Sequence, residues 1–357
     1  MKIIKPDAYI VFCDITSTDA ISVYKKIEQI ARCCYKSEDK ITDTSHEVIL
    51  KTLGSKGHLA MFEHHNIVIK LHPQTHKLFE RLRGTTTVAY AELTRTLRYL
   101  NFTASSNFTA SSNTEKGCIV SGSPTAWSKV WSAVEAKNSL SSENWLNHFC
   151  RWLYLQYPLL IVKPEKITTD ITQSCTPEQK ILSENEIDAL PYHIRRHHKM
   201  VTAKFICDRG VSHELVRHRN SFAQESTRYV NYGKSGCQFI LPYWIETGDG
   251  EYDVKWNKYQ SDHSVDPYTE DSAESQWFWA CAYAERAYLK LIDQGWSPQQ
   301  ARSVLPNSCK TEVYMSCTLA YWEWFFKMRD SKYAHPQMQE VAIPLHAEFI
   351  FRGFLND

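Results

Sequence analysis

Ser212-His-Glu-Leu-Val-Arg-His-Arg-Asn-Ser-Phe-Ala-Gln-Glu-Ser-Thr-Arg-Tyr-Val-Asn-Tyr232 is the densest run of chemistry in the chain. Arg217, His218, Arg219 and Arg228 fall within twelve residues, with Ser221, Ser226 and Thr227 among them. A guanidinium grips phosphate oxygens in a rigid fork, and hydroxyls add donors beside it. The run therefore reads as a phosphate pocket rather than a solvated helix face. Just before it, Met200–Ile206 has a strand pattern and Asp208-Arg-Gly is a turn signal. Val211 to about Glu225 is then expected to be a helix, with Ser212 as its N-cap and Leu215 on its buried side. On such a helix Glu214 lies over Arg217 and His218.

Downstream, Tyr229–Gly236 reads as a loop, Phe239–Ile245 as a short strand and 248–271 as an acidic loop. Ser272–Asp293 has a long helical pattern stopped by Gly295. Ser297 is an N-cap with Pro298 at the first helical position, and Pro306 ends that element. Thr311–Met328 is expected to be a further helix. Upstream, Val23–Lys36 is an amphipathic helix pattern with Ile27, Ile30, Ala31 and Cys34 on one side. Thr42–Gly54 is a second, with Ser45 as its N-cap, and Asn66–Leu71 is a strand pattern. Residues 72 to 195 differ in texture. Trp127–Ala136 and Glu143–Tyr157 look helical, and Pro164–Asn185 is polar and turn-rich. The tandem hexamer from Asn101 and Asn107 is too short to define a repeat fold. The segment reads as an insertion packed outside the core.

Composition narrows the function. The 357 residues carry 41 Lys and Arg against 40 Asp and Glu, a formal charge of +1. No global field points to nucleic acid or to an anionic membrane. No secretory pattern and no apolar stretch long enough to cross a bilayer are visible, so a soluble, cytoplasmic protein is expected. The 11 cysteines form no CxxC pair and suit reduced thiols. His197, His198, His213 and His218 match no zinc or iron spacing, so no metal is expected. A GxGxxG after a strand, a Walker A loop and a GxSxG elbow are all missing.

Four spaced elements carry a family resemblance. They are Ile30-Ala-Arg-Cys-Cys-Tyr-Lys-Ser37, then Gly57-His58 with Phe62-Glu63-His64, then the central run, then a C-terminal pair. The C-terminal pair is Ala301-Arg302-Ser-Val-Leu-Pro306 and Met328-Arg329 followed by Ala334-His335-Pro336, with 27 residues from Arg302 to Arg329. In this order the chain resembles the flavin-dependent thymidylate synthases. Their signature is Arg-His-Arg, a spacer of seven, Ser, and then Arg-Tyr. Here Arg217-His218-Arg219 and Gln224-Glu-Ser-Thr-Arg-Tyr229 are intact, and the spacer before Ser226 is six residues. We place the shortening near Asn220; a spacer of seven would put Thr227 in the signature position. The resemblance covers roughly 1 to 70 and 197 to 345.

The resemblance implies an α+β fold, a mixed β-sheet with a helical layer. It divides the chain into a core half at 1–71, an insertion subdomain at 72–195 and a second core half at 196–357. It implies conversion of dUMP to dTMP with FAD as cofactor and methylenetetrahydrofolate and NADPH as co-substrates. It also implies a homotetramer whose sites draw on several subunits, with no nucleic-acid or membrane partner. Residue by residue, Arg217, His218, Arg219, His58 and Glu63 are expected at the flavin. Trp324 and Tyr333 stand at flavin-contact positions where Asn and His are common. Arg217, Gln224, Ser226 and Arg228 are expected at dUMP. Glu214 stands where Gln beside the nucleotide is common, and its carboxylate is expected to pair with Arg217. Arg302 and Arg329 are the catalytic candidates, each contacting the pyrimidine or flavin and stabilising charge that develops on the ring. Two other readings compete. The Trp and Tyr content with the arginine cluster suits a single-stranded nucleic-acid-binding module, against which the neutral charge argues. A diverged nucleotide-binding flavoprotein is the other.

Overall fold

The computed structural model describes residues 1–12, 19–84, 97, 100–105, 117–135, 144–165, 179–233, 236–246, 248–252, 254 and 272–356. The second copy of the tandem hexamer and most of the acidic 248–271 stretch lie outside them. The fold is α+β. Its centre is a four-stranded antiparallel sheet in the order Asp7–Val11, Met200–Asp208, Lys310–Thr318, Ser221–Gln224. Lys310–Thr318 pairs with Met200–Asp208 along its whole length, from Lys310 opposite Asp208 to Thr318 opposite Met200.

This sheet corrects two expectations. Thr311–Met328 is not one helix: its first half is the Lys310–Thr318 strand and its second the Leu319–Arg329 helix. Thr311, Val313, Tyr314 and Thr318 favour a strand. The strand lies between two neighbours and is covered on both faces, so its burial is nearly continuous and the period of two disappears. Val211–Glu225 is not one helix either. The Arg209–Leu215 helix ends, the chain turns, and Ser221–Gln224 pairs with Val313–Ser316 as the sheet edge. Four residues are too few to display a period. Asp208, not Ser212, caps the helix: its carboxylate accepts the Val211 N–H at 2.8 Å, while Ser212 Oγ donates to the Arg209 carbonyl.

Helices cover both faces of the sheet. Leu319–Arg329 and Pro336–Phe351 bury Trp322, Phe325, Phe326, Val341 and Phe349 against Phe205, Val313 and Met315. On the other face the Ala20–Cys33 helix sets Ile30 and Cys33 against Ala223 and Tyr314. Asp19 caps that helix, its carboxylate accepting the Ile21 and Ser22 N–H groups. The next helix, Ser45–Ser55, has Thr44 at its N-cap; the Ser45 hydroxyl bonds Glu28 instead. The strand expected over Phe239–Ile245 is Gln238–Ile240, parallel to Lys2–Ile4 in a small sheet completed by Gly250–Glu251. Ala273–Asp293 and Pro298–Ala301 are helical as their caps foretell, with a capping box between Ser297 and Gln300.

A second four-stranded sheet runs Asn101–Ser105, Gly117–Gly122, Ile67–Leu71, Lys180–Ile181. It crosses the expected boundary at residue 71. The largest buried cluster joins Val23, Ile27, Leu50 and Phe62 to Trp127, Trp131, Phe149 and Leu153 from the middle of the chain. The segment expected to pack outside the core is thus half of one.

Buried histidines stitch the two sheets together. His64 Nδ1 lies 2.7 Å from Ser316 Oγ in the central sheet, and His198 Nδ1 lies 2.8 Å from Ser121 Oγ in the second. Burial, with the Lys26 charge nearby, lowers His64 and His65 to about 3; burial and His197 lower His198 to about 4. These rings stay neutral in the fold while the unfolded chain binds protons below the ordinary value of 6.5. Stability is therefore expected to fall as pH drops from 6.5 towards 4, by about 2 kcal/mol per histidine at pH 5. Urea unfolding at neutral pH and at pH 5 checks this; a flat profile across that window contradicts it.

Candidate active site

The Arg217–Arg219 turn sits between the Arg209–Leu215 helix and the Ser221–Gln224 strand. Arg217 and Arg219 face solvent, while His218 turns inward and is 3% exposed. Arg329, in the last turn of its helix, closes over this turn. Its Nε–H donates to His218 Nε2 at 2.9 Å, Nη1 to Glu214 Oε2 at 2.7 Å and Nη2 to the Glu214 carbonyl at 3.2 Å. Glu214 thus pairs with Arg329, not with Arg217 as expected, because the helix ends at Leu215 and Arg217 turns away. A guanidinium can only donate, so His218 Nε2 accepts and the ring proton lies on Nδ1. That N–H is buried without a partner among the described residues. Burial and the Arg329 charge lower His218 to about 4, so the ring is neutral near pH 7. Trp324, half exposed, stands edge-on to it at 5.1 Å.

The second group is the Ser226–Arg228 turn. The Ser226 N–H donates to the Cys34 carbonyl at 3.1 Å, which fixes the turn on the N-terminal element. Ser226 Oγ accepts the Arg228 N–H at 3.3 Å. Arg228 Nε–H donates to Gln299 Oε1 at 3.3 Å, and its guanidinium lies 5.3 Å from the Tyr229 ring centre. The exposed Arg302 follows three residues after Gln299, so the turn abuts the segment that carries it. Gln224 faces inward, its amide donating to Ser212 Oγ and Thr311 Oγ1 at 2.9 and 3.2 Å.

Beneath this turn is a cluster that sequence reasoning missed. Glu225 is 1% exposed; it accepts from Tyr232 Oη at 2.7 Å and Lys310 Nζ at 3.0 Å. Glu312 takes Lys204 at 2.7 Å and also Lys36 and Lys310. Burial alone would raise Glu312, yet Lys310, Lys204 and Lys36 bring it to about 2. Lys36, Glu225, Tyr232, Lys310 and Glu312 line, with Tyr35 and Tyr229, a cleft of about 530 Å³. Cys33 and Glu38 have ligand atoms within 4.8 Å of Glu312, but the three ammoniums already neutralise that carboxylate. The only hint in the sequence was charge inside Lys310-Thr-Glu312, a segment otherwise strand-like.

A third group, Glu63, Arg219, Asn220, Thr318 and Tyr321, lines a cleft of about 410 Å³ between the two sheets. Ser221 Oγ donates to the Glu63 carbonyl at 2.9 Å and holds the two expected flavin residues in register. The lining mixes cation, hydroxyl, amide and phenol groups, so the cleft is polar. His58 heads the Leu59–His64 turn and is exposed, and Tyr333 is 87% exposed. One chain therefore brings together Glu214, His218, Trp324 and Arg329 in one place. Ser226 and Arg228 are in a second beside the Arg302 segment, and Glu63 and Arg219 in a third.

Residues 163–350, more than half of the chain, match the family model of the thymidylate synthase complementing protein. The chain belongs to that family. The matched region holds both helix–strand corrections and all three groups except Glu63. The N-terminal elements lie outside it. A flavin-dependent thymidylate synthase of Mycobacterium sp. (strain KMS) is 33% identical over 145 residues, 40% of this chain and 54% of that protein. Those of Geobacter sulfurreducens and Pyrococcus furiosus are each 28% identical, over 138 and 139 residues, covering 38% of this chain and 50% and 48% of theirs. The chain spans about half the length of the curated relatives it matches.

Proposed function

We propose that the chain is a flavin-dependent thymidylate synthase, converting dUMP to dTMP with methylenetetrahydrofolate and NADPH, FAD and several copies of itself. The observation that carries this reading is the Ser226–Arg228 turn docked on the segment bearing Arg302, within the region matched by the family. The Arg228 guanidinium and the Ser226 hydroxyl on one turn suit a dianionic phosphate. Arg329 is pre-oriented by Glu214 and His218, so it needs little reorganisation to stabilise charge on a pyrimidine ring. When bound, FAD supplies hydride chemistry that no side chain offers. Burial raises Cys34 and Cys309 to about 11, so neither is a thiolate nucleophile at neutral pH. The three separated groups, with Tyr243, Trp244, Trp324 and Tyr333 exposed, favour a site completed by neighbouring copies.

Arg228→Ala is expected to weaken dUMP binding by about 1.5 to 3 kcal/mol, as for a hydrogen-bonded charged group, while flavin stays bound. Ser226→Ala is expected to cost more than Thr227→Ala, because Ser226 Oγ already meets the Arg228 backbone. Titration of the flavin absorbance with dUMP reads both. An unchanged dUMP affinity in Arg228→Ala contradicts the phosphate assignment.

A further inference from the structure

The Ser226–Arg228 turn is strapped across its base by a pair of side chains. Glu225 stands just before the turn and Tyr232 a few residues after it, and both are buried. Tyr232 Oη donates to Glu225 Oε1 at 2.7 Å, closing a loop that carries Ser226, Arg228 and Tyr229. Within the loop the Tyr229 and Val230 N–H groups donate to the Ser226 carbonyl at 3.1 and 3.0 Å.

Each end of the strap is itself held. The Glu225 N–H donates to the Glu312 carbonyl at 2.8 Å, and the Glu225 carbonyl accepts from Arg209 Nη2 at 3.1 Å. Its other carboxylate oxygen accepts from Lys310 Nζ at 3.0 Å. The Tyr232 N–H donates to Tyr288 Oη at 3.3 Å, and the two rings pack with centres 5.7 Å apart. Glu225 thus commits its backbone and both carboxylate oxygens to fixed partners, one residue before the hydroxyl of Ser226. A ligand that meets a turn already held in shape is spared the cost of ordering it.

We propose that Glu225 and Tyr232 are positioning residues for the phosphate grip, holding the Ser226–Arg228 turn in its binding shape. The identity of the ligand as dUMP rests on the function proposed above; the strap itself does not. The resemblance assigns roles to Gln224, Ser226 and Arg228 but to neither of these two.

The test uses the full flavin-loaded chain, with tritium release from C5-labelled dUMP as the readout. Tyr232→Phe removes the hydroxyl of the strap and keeps the ring against Tyr288. It is expected to raise KM for dUMP about tenfold and to leave kcat within about twofold of the parent. Added to Arg228→Ala it is expected to raise KM by at most about threefold more, because the guanidinium it positions is already gone. An unchanged KM in Tyr232→Phe overturns the inference and leaves the functional reading standing. A loss confined to kcat, or one that adds in full to Arg228→Ala, overturns it too, since the hydroxyl would not act through the turn. Hydrogen exchange of the unsubstituted chain puts the same question without a variant. The Tyr229 and Val230 amides are expected to exchange slowly before dUMP is added, and exchange as free as that of an unstructured segment until the nucleotide binds overturns the inference. A parent chain that releases no tritium removes the functional reading, and the inference with it.

Discussion

Replacing residues 76–190 with a short Gly/Ser linker is expected to leave no folded protein. The reason is the shared core. Trp131 and Phe149 are fully buried and Trp127 and Leu153 nearly so, in one cluster with Val23, Ile27, Leu50 and Phe62 of the N-terminal helices and turn. Truncating one such aromatic side chain costs about 3 to 5 kcal/mol, and a whole domain is stable by only about 5 to 15 kcal/mol. The deletion removes three of the four strands of the second sheet as well, leaving Ile67–Leu71 unpaired. Circular dichroism and size-exclusion chromatography of the deletion protein check this. A soluble species that melts cooperatively contradicts it. Trp131→Ala is the graded version of the same experiment, with a loss of about 3 to 5 kcal/mol.

Glu312→Leu is expected to cost about 3 to 5 kcal/mol, because it leaves the ammoniums of Lys36, Lys204 and Lys310 with only Glu225 and the more exposed Glu38 as carboxylates among the described residues. Lys310 is 8% and Glu312 6% exposed, so water takes over the lost role only in part. Adding Lys204→Met to Glu312→Leu should restore part of the loss, since it removes one of the stranded charges. Urea unfolding at neutral pH reads both; a loss below about 1 kcal/mol for Glu312→Leu, the level of a surface pair, contradicts the account. The wild-type pair follows the same sign. Glu312 is held at about 2 against 4.5 in the unfolded chain. Its contribution is full above 4.5 and is lost as pH falls towards 2.

What the sequence could reveal depended on range. Local signals held where chemistry within four residues marks a helix start, as at Ser297 with Pro298 and at Ser272 before Ala273–Asp293, and failed at Ser212 and Ser45, whose hydroxyls bond elsewhere. The arginine and serine cluster was visible for the same reason. Elements defined by their neighbours were not. The Lys310–Thr318 strand is buried on both faces and so loses its alternation, and the Ser221–Gln224 strand exists because a partner edge is there. The pair between Arg329 and Glu214 spans 115 positions, and no spacing rule reaches that far. The lysine and glutamate cluster joins Lys36, Lys204, Glu225, Lys310 and Glu312 from four distant places. The middle segment showed Trp127 and Trp131 at helical spacing, which marks a buried face but not what covers it.

The central claim is that this chain methylates dUMP by flavin chemistry. The most direct measurement is release of tritium from dUMP labelled at C5, with FAD, methylenetetrahydrofolate and reduced nicotinamide present. The account predicts release that requires all three additions, and its loss in Arg302→Ala and Arg329→Ala. Release that stays at background with every component present contradicts it.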